Sequence, residues 1–138
     1  MDTVMIKIKS TQTPQGEDPE VIEFMTEGKH YLKHGSHYIV YDESELSGME
    51  GCTTTLKMTD DVIKMRRYGG ATSELLFEKG KRNSSDYVTP YGTFKLQILT
   101  REMEWHISEE CKGKIYVKYD LSMQSVMEST NILDIEIL

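Results

Sequence analysis

Apolar and polar residues alternate along most of the chain. Ile115, Val117, Tyr119 and Leu121 are interleaved with Lys114, Tyr116, Lys118, Asp120 and Ser122. Leu133, Ile135 and Ile137 alternate with Asp134 and Glu136, and Val4, Ile6 and Ile8 with Met5, Lys7 and Lys9. A period of two sends successive side chains to opposite faces, so each stretch predicts a strand with one buried face. No window carries a helical stripe, so no α-helix longer than about three turns is expected. Predicted strands run Thr3 to Ser10, Val21 to Lys33, His37 to Glu43, Cys52 to Thr59, Val62 to Tyr68, Thr72 to Lys79, Tyr87 to Pro90, Thr93 to Ile107, Lys114 to Met123 and Val126 to Leu138. Gln12 to Pro19 and Gly80 to Asp86 read as loops. The fold class is all-β: one antiparallel meander barrel over residues 1–138, of roughly eight to ten strands.

Three strands fix their own register. A two-residue turn at Asp60-Asp61 sets Met58 against Ile63 and Leu56 against Met65. A three-residue loop at Gly69-Gly70-Ala71 then sets Met65 against Leu75 and Ile63 against Phe77. The inward faces agree, and a slip of one residue would turn every side chain over. Glycine supplies the positive φ that such a loop needs. Between Ile98 and Met103 the inward parity changes, which predicts a bulge in one long bent strand.

The same register carries Arg67 inward, after Ile63 and Met65 and opposite Thr54 and Ser73. A charge at the end of an inward stripe belongs at a barrel mouth. Two roles fit it. It can hold a structural salt bridge, with Glu43, which shares parity with Ile39 and Tyr41, as partner; this is the favoured reading. It can also anchor an anionic head group, because its planar fork holds a carboxylate or phosphate through two hydrogen bonds. Tyr41 and Tyr91 complete the candidate pocket, since tyrosine offers apolar area and a hydroxyl together.

Composition narrows the classes. At 138 residues the chain can bury a core without metal or disulfide support. A net charge of −7 disfavours nucleic acid and anionic membrane surfaces. No export signal opens the chain, and no apolar run nears the ~20 residues of a membrane span. The expected location is the cytoplasm, with Cys52 and Cys111 unbridged. His30, His34 and His37 lack a Cys or carboxylate at a recognised spacing, so neither a metal nor a cofactor is expected. No nucleophile–base order, glycine-rich phosphate loop or paired carboxylates can be identified, which places an enzymatic role last. The nine methionines are assigned to core filling.

An ordered set of motifs adds to this. Tyr38-Ile39-Val40-Tyr41-Asp42-Glu43-Ser44, Gly48, Thr55 to Lys57, Arg67-Tyr68-Gly69, Phe77, Thr89-Pro90-Tyr91-Gly92, Thr100 and the strand Leu133 to Ile137 follow one another. In that order they resemble the YwiB-like family, uncharacterised bacterial β-barrel proteins of lipocalin-like (calycin-type) fold. The resemblance implies a closed or nearly closed barrel in the cytoplasm and no activity or catalytic residue. The leading functional expectation is a non-enzymatic barrel that takes a small, partly apolar ligand in its interior, as a monomer or homodimer. The alternative is a protein-interaction module that uses its acidic outer face or a strand edge.

Overall fold

The structure, a computed structural model, describes residues 2–43, 51–123 and 127–138. Ser44, Gly48 and Val126, named above, lie outside the described residues. Ten strands follow in order: β1 (Asp2–Pro14), β2 (Glu20–Lys33), β3 (Ser36–Asp42), β4 (Thr53–Thr59), β5 (Val62–Tyr68), β6 (Thr72–Glu78), β7 (Arg82–Thr89), β8 (Gly92–Ile107), β9 (Gly113–Met123) and β10 (Met127–Ile137). Each pairs antiparallel with its sequence neighbours, and β1 pairs with β10 from Ile6↔Ile137 to Pro14↔Ser129, closing the barrel. Closure leaves no terminal edge strand in the sheet.

The inferred registers hold: Met58 faces Ile63, Leu56 faces Met65, Met65 faces Leu75 and Ile63 faces Phe77. The phase change in β8 is a bulge. Thr100 pairs with Tyr119 and Glu102 with Lys118, so Arg101 is the extra residue. It lies on the outer face, where its Nε donates to Asp120 Oδ2 at 2.7 Å.

Two loop expectations are corrected. Gln12, Thr13 and Pro14 belong to β1, because barrel closure supplies β10 as a partner. Arg82 to Asp86 belong to β7 and pair with β8. Their alternation was masked because the inward positions, Asn83 and Ser85, are polar. The reason lies beside them. β6 and β7 pair only at Thr72↔Val88 and Ser73↔Tyr87. Beyond that the strands part, and the Asn83 side-chain amide spans the gap to donate to the Leu76 carbonyl at 3.1 Å. Below the gap, Gly80 N in the β6–β7 turn donates to Thr100 O of β8 at 2.8 Å.

The core is the barrel interior. Ile6, Ile39, Leu56, Met58, Ile63, Phe77, Ile98, Ile115, Val117 and Ile135 are fully buried. Ten strands enclose more space than eight. Here long and aromatic side chains fill most of it; the Phe77 and Tyr119 rings, for example, meet at 4.7 Å between centroids. The outer face carries charge, with pairs such as Lys7–Glu23, Lys64–Glu74 and Lys95–Asp86. An apolar inside and charged outside is the inverse of a membrane-spanning barrel. No helix of the described residues is long and apolar enough to cross a membrane.

Candidate functional site

The meander gives the barrel two ends. One end gathers the β1–β2, β3–β4, β5–β6, β7–β8 and β9–β10 connections; the other gathers the remaining turns and both chain ends. At the first end the packing stops short of the rim. A cavity of about 150 Å³ opens there, with Ile8, Ile22, Phe24 and Leu133 on one side. Ser10, Gln12, Tyr41, Glu43, Arg67, Tyr119, Leu121 and Asn131 complete its wall.

One rung of the sheet builds its polar side. Tyr41 on β3 pairs with Thr54 on β4, which pairs with Arg67 on β5, which pairs with Ser73 on β6. Parity sends all four side chains inward. Glu43 follows β3 directly and is held by its own amide, which donates to Cys52 O at 2.9 Å. Its carboxylate accepts from Thr54 Oγ1 at 2.7 Å and lies 3.5 Å from Arg67 Nε. The Glu43 side chain is 2% exposed and that of Arg67 20%. The expected Arg67–Glu43 pair therefore exists. It is a charge contact without hydrogen-bond geometry: Arg67 Nε is buried with no hydrogen-bond partner.

The electrostatics follow from burial. Desolvation lowers the affinity of the Arg67 guanidinium for its proton, but Tyr41, Glu43 and Tyr119 outweigh it, and the net shift is upward. Burial pushes the Tyr41 phenol well above its ordinary value, and the Glu43 carboxylate adds to this. Burial also raises Tyr119, against a smaller opposing pull from Arg67. The cavity thus sets the Arg67–Glu43 pair and two protonated phenols on a polar wall that faces an apolar one.

Tyr91 does not join this group. It sits in the turn between β7 and β8, with its side chain on the surface, 94% exposed. The Thr89 hydroxyl organises that turn, accepting from Tyr91 N at 3.1 Å and lying 3.0 Å from Gly92 O. Thr89-Pro90-Tyr91-Gly92 is thus a turn device. Tyr119 and Asn131 were missed. Both carry the signal that exposes Arg67, a polar group at one end of an inward stripe: Tyr119 after Ile115 and Val117, Asn131 before Leu133 and Ile135. At the opposite end His34 occupies an exposed turn at φ +51°. His30 Nε2 and His37 Nδ1 share a hydrogen bond of 2.9 Å. Cys52 and Cys111 are unbridged.

Residues 6–135 match a family described as a domain of unknown function, DUF1934. The chain belongs to that family. It is 27% identical over 126 residues to the uncharacterized beta-barrel protein YwiB of Bacillus subtilis (strain 168), spanning 91% of this chain and 85% of that protein. The crystal structure of the ywiB protein from Bacillus subtilis superposes with a TM-score of 0.78 at 23% identity, covering 99% of this chain and 93% of that one. This DUF1934 protein is thus a YwiB-like closed β-barrel. Of the motif residues, Gly69 has a structural reason: its φ is +143°, and a Cβ there would lie 2.5 Å from Gly51 O.

Proposed function

We propose that this protein is a cytoplasmic, non-enzymatic, lipocalin-like barrel that holds one small, partly apolar molecule at its mouth. The observation that carries this reading is the cavity itself, with Ile22, Phe24 and Leu133 on one side and Arg67, Tyr41, Tyr119 and Asn131 on the other. A volume of about 150 Å³ suits a molecule near the size of benzene rather than a lipid chain. Glu43 already balances Arg67, so a full anion would leave the buried site with net negative charge. An uncharged acceptor, such as an amide or ketone carbonyl, fits the Arg67 guanidinium better than the anionic head group the sequence suggested. Glu43 is committed to Thr54 and Arg67, which favours binding over acid–base chemistry. Two unbridged thiols agree with a reducing compartment.

The test is native mass spectrometry of protein purified without refolding, joined to thermal shifts with small aryl and alkyl amides. The expected result is a retained small mass, or a rise in Tm, that Ile22→Trp removes by filling the mouth. No retained mass and no shift across the amides would overturn the reading.

A further inference from the structure

A second cluster lies at the opposite end of the barrel. Asp2 on β1 is the cross-strand partner of His30 on β2, and Cys111 reaches them from the β8–β9 turn. One carboxylate oxygen of Asp2, one ring nitrogen of His30 and the Cys111 sulfur all lie within 4.8 Å of one another. Cys111 Sγ is already 3.3 Å from Asp2 Oδ2. Tetrahedral zinc holds its ligand atoms about 3.3–3.8 Å apart, so one edge of that figure is formed and the others need only modest contraction.

A further observation points to a ligand here. His30 is buried, with 5% of its surface exposed, and its Nδ1 has no hydrogen-bond partner. Its Nε2 is taken by His37, which leaves Nδ1 as the nitrogen able to ligate. The tautomer that frees the Nδ1 lone pair puts the proton on Nε2, where it donates to His37 Nδ1. Metal-bound imidazoles are oriented in just this way. Cys111 is also held at φ +61°, a left-handed conformation that a non-glycine residue adopts at a cost.

We propose that Asp2, His30 and Cys111 form a Zn²⁺ site with three protein ligands and a fourth position for water or an exogenous ligand. The donor set, one thiolate, one imidazole and one carboxylate, selects a borderline-soft cation over Mg²⁺ or Ca²⁺. On binding, the Cys111 thiol gives its proton to solvent and its sulfur forms the metal bond. The ion would tie the start of β1, the end of β2 and the β8–β9 turn across the floor of the barrel. This site is separate from the mouth and stands whether or not the mouth binds anything.

The test uses untagged, reduced protein titrated with Co²⁺ as the spectroscopic stand-in. Sulfur-to-cobalt charge-transfer absorption and tetrahedral d–d bands are expected, saturating at one equivalent and displaced by Zn²⁺. Cys52→Ser should keep the charge-transfer band and Cys111→Ser should abolish it. Asp2→Asn, at an exposed position, and His37→Phe, which removes the orienting contact, should each weaken Zn²⁺ binding by about tenfold or more. Absence of the charge-transfer band, its survival in Cys111→Ser, or affinity unchanged in Asp2→Asn would overturn the proposal.

Discussion

Arg67→Met should show that the mouth is held by a buried charge pair. Removing Arg67 strands the Glu43 carboxylate, whose side chain is 2% exposed and whose remaining side-chain hydrogen bond is from Thr54. Breaking a buried pair from one side costs about 3–5 kcal/mol. The Thr54 contact and the partial exposure of Arg67 argue for the lower end, about 3 kcal/mol. At about 2–4 °C per kcal/mol this is a fall in Tm of about 10 °C. Glu43→Gln should cost less, about 1–2 kcal/mol, since the amide still accepts from Thr54 and the guanidinium still reaches water. The double variant should cost about 1–2 kcal/mol, no more than Glu43→Gln alone, giving a coupling of about 3 kcal/mol. Urea denaturation of the four proteins measures it. Repetition in about 1 M salt separates this pair from the exposed Lys95–Asp86 pair, which screening should silence. Losses that add within about 0.5 kcal/mol would refute the pair.

Three other outcomes are expected. Cys111→Gly should raise the stability of the metal-free protein by about 1 kcal/mol in urea, because glycine accepts φ +61° without strain. A lower midpoint would contradict this. Gly113→Ala should cost more than about 2 kcal/mol, since a Cβ there runs into the His106 carbonyl, which belongs to the rigid β8 backbone; thermal melts followed by far-UV circular dichroism will show it. In alkali, the unfolded chain loses phenolic protons near pH about 10 while Tyr41 and Tyr119 keep theirs. Their contribution is therefore complete below that value and is lost as pH rises past it. Tyr41→Phe should flatten the alkaline fall in Tm, and an unchanged slope would count against the burial of that hydroxyl.

Legibility in the sequence tracked side-chain parity. The β4–β5–β6 register was readable because both turns are short, so each turn length fixed its pairing. The β8 bulge was readable because six apolar residues change phase around it. The β7 strand was hidden because Asn83 and Ser85, although they point inward, face a gap in the sheet rather than a packed neighbour. Tyr91 stands on the surface of the β7–β8 turn, and a turn tyrosine and a rim tyrosine look alike when only the flanking residues are known. Parity says which face a residue serves, but it does not say how far around the barrel its partner stands. Glu43 was chosen for Arg67 on parity alone. What brings them together is a β3–β4 register that sets Tyr41 against Thr54, and the connection between those strands is too long for its length to specify that.

The floor of the barrel shows the same distinction from the other side. His30, His34 and His37 are neighbours in sequence, and their spacing alone gives no reason to expect a metal site. His34 is lost to it because a two-residue turn requires φ +51° there, followed by +80° at Gly35, and leaves the imidazole exposed. His37 meets the Nε2 of His30, and His30 Nδ1 is left without a hydrogen-bond partner. The ligands that replace them come from residue 2 and from residue 111, a separation of 109 positions that only the pairing of β1 with β2 and the reach of the β8–β9 turn bring to contact. In a closed meander every strand pairs with its sequence neighbours and only the β1–β10 seam joins distant ones, so local spacing predicts the walls well. The two ends are where distant turns converge, and both the cavity at the mouth and the Asp2, His30 and Cys111 cluster lie there. The chemistry of this barrel thus sits where short-range pattern says least, and the register of its walls is the information needed to find it.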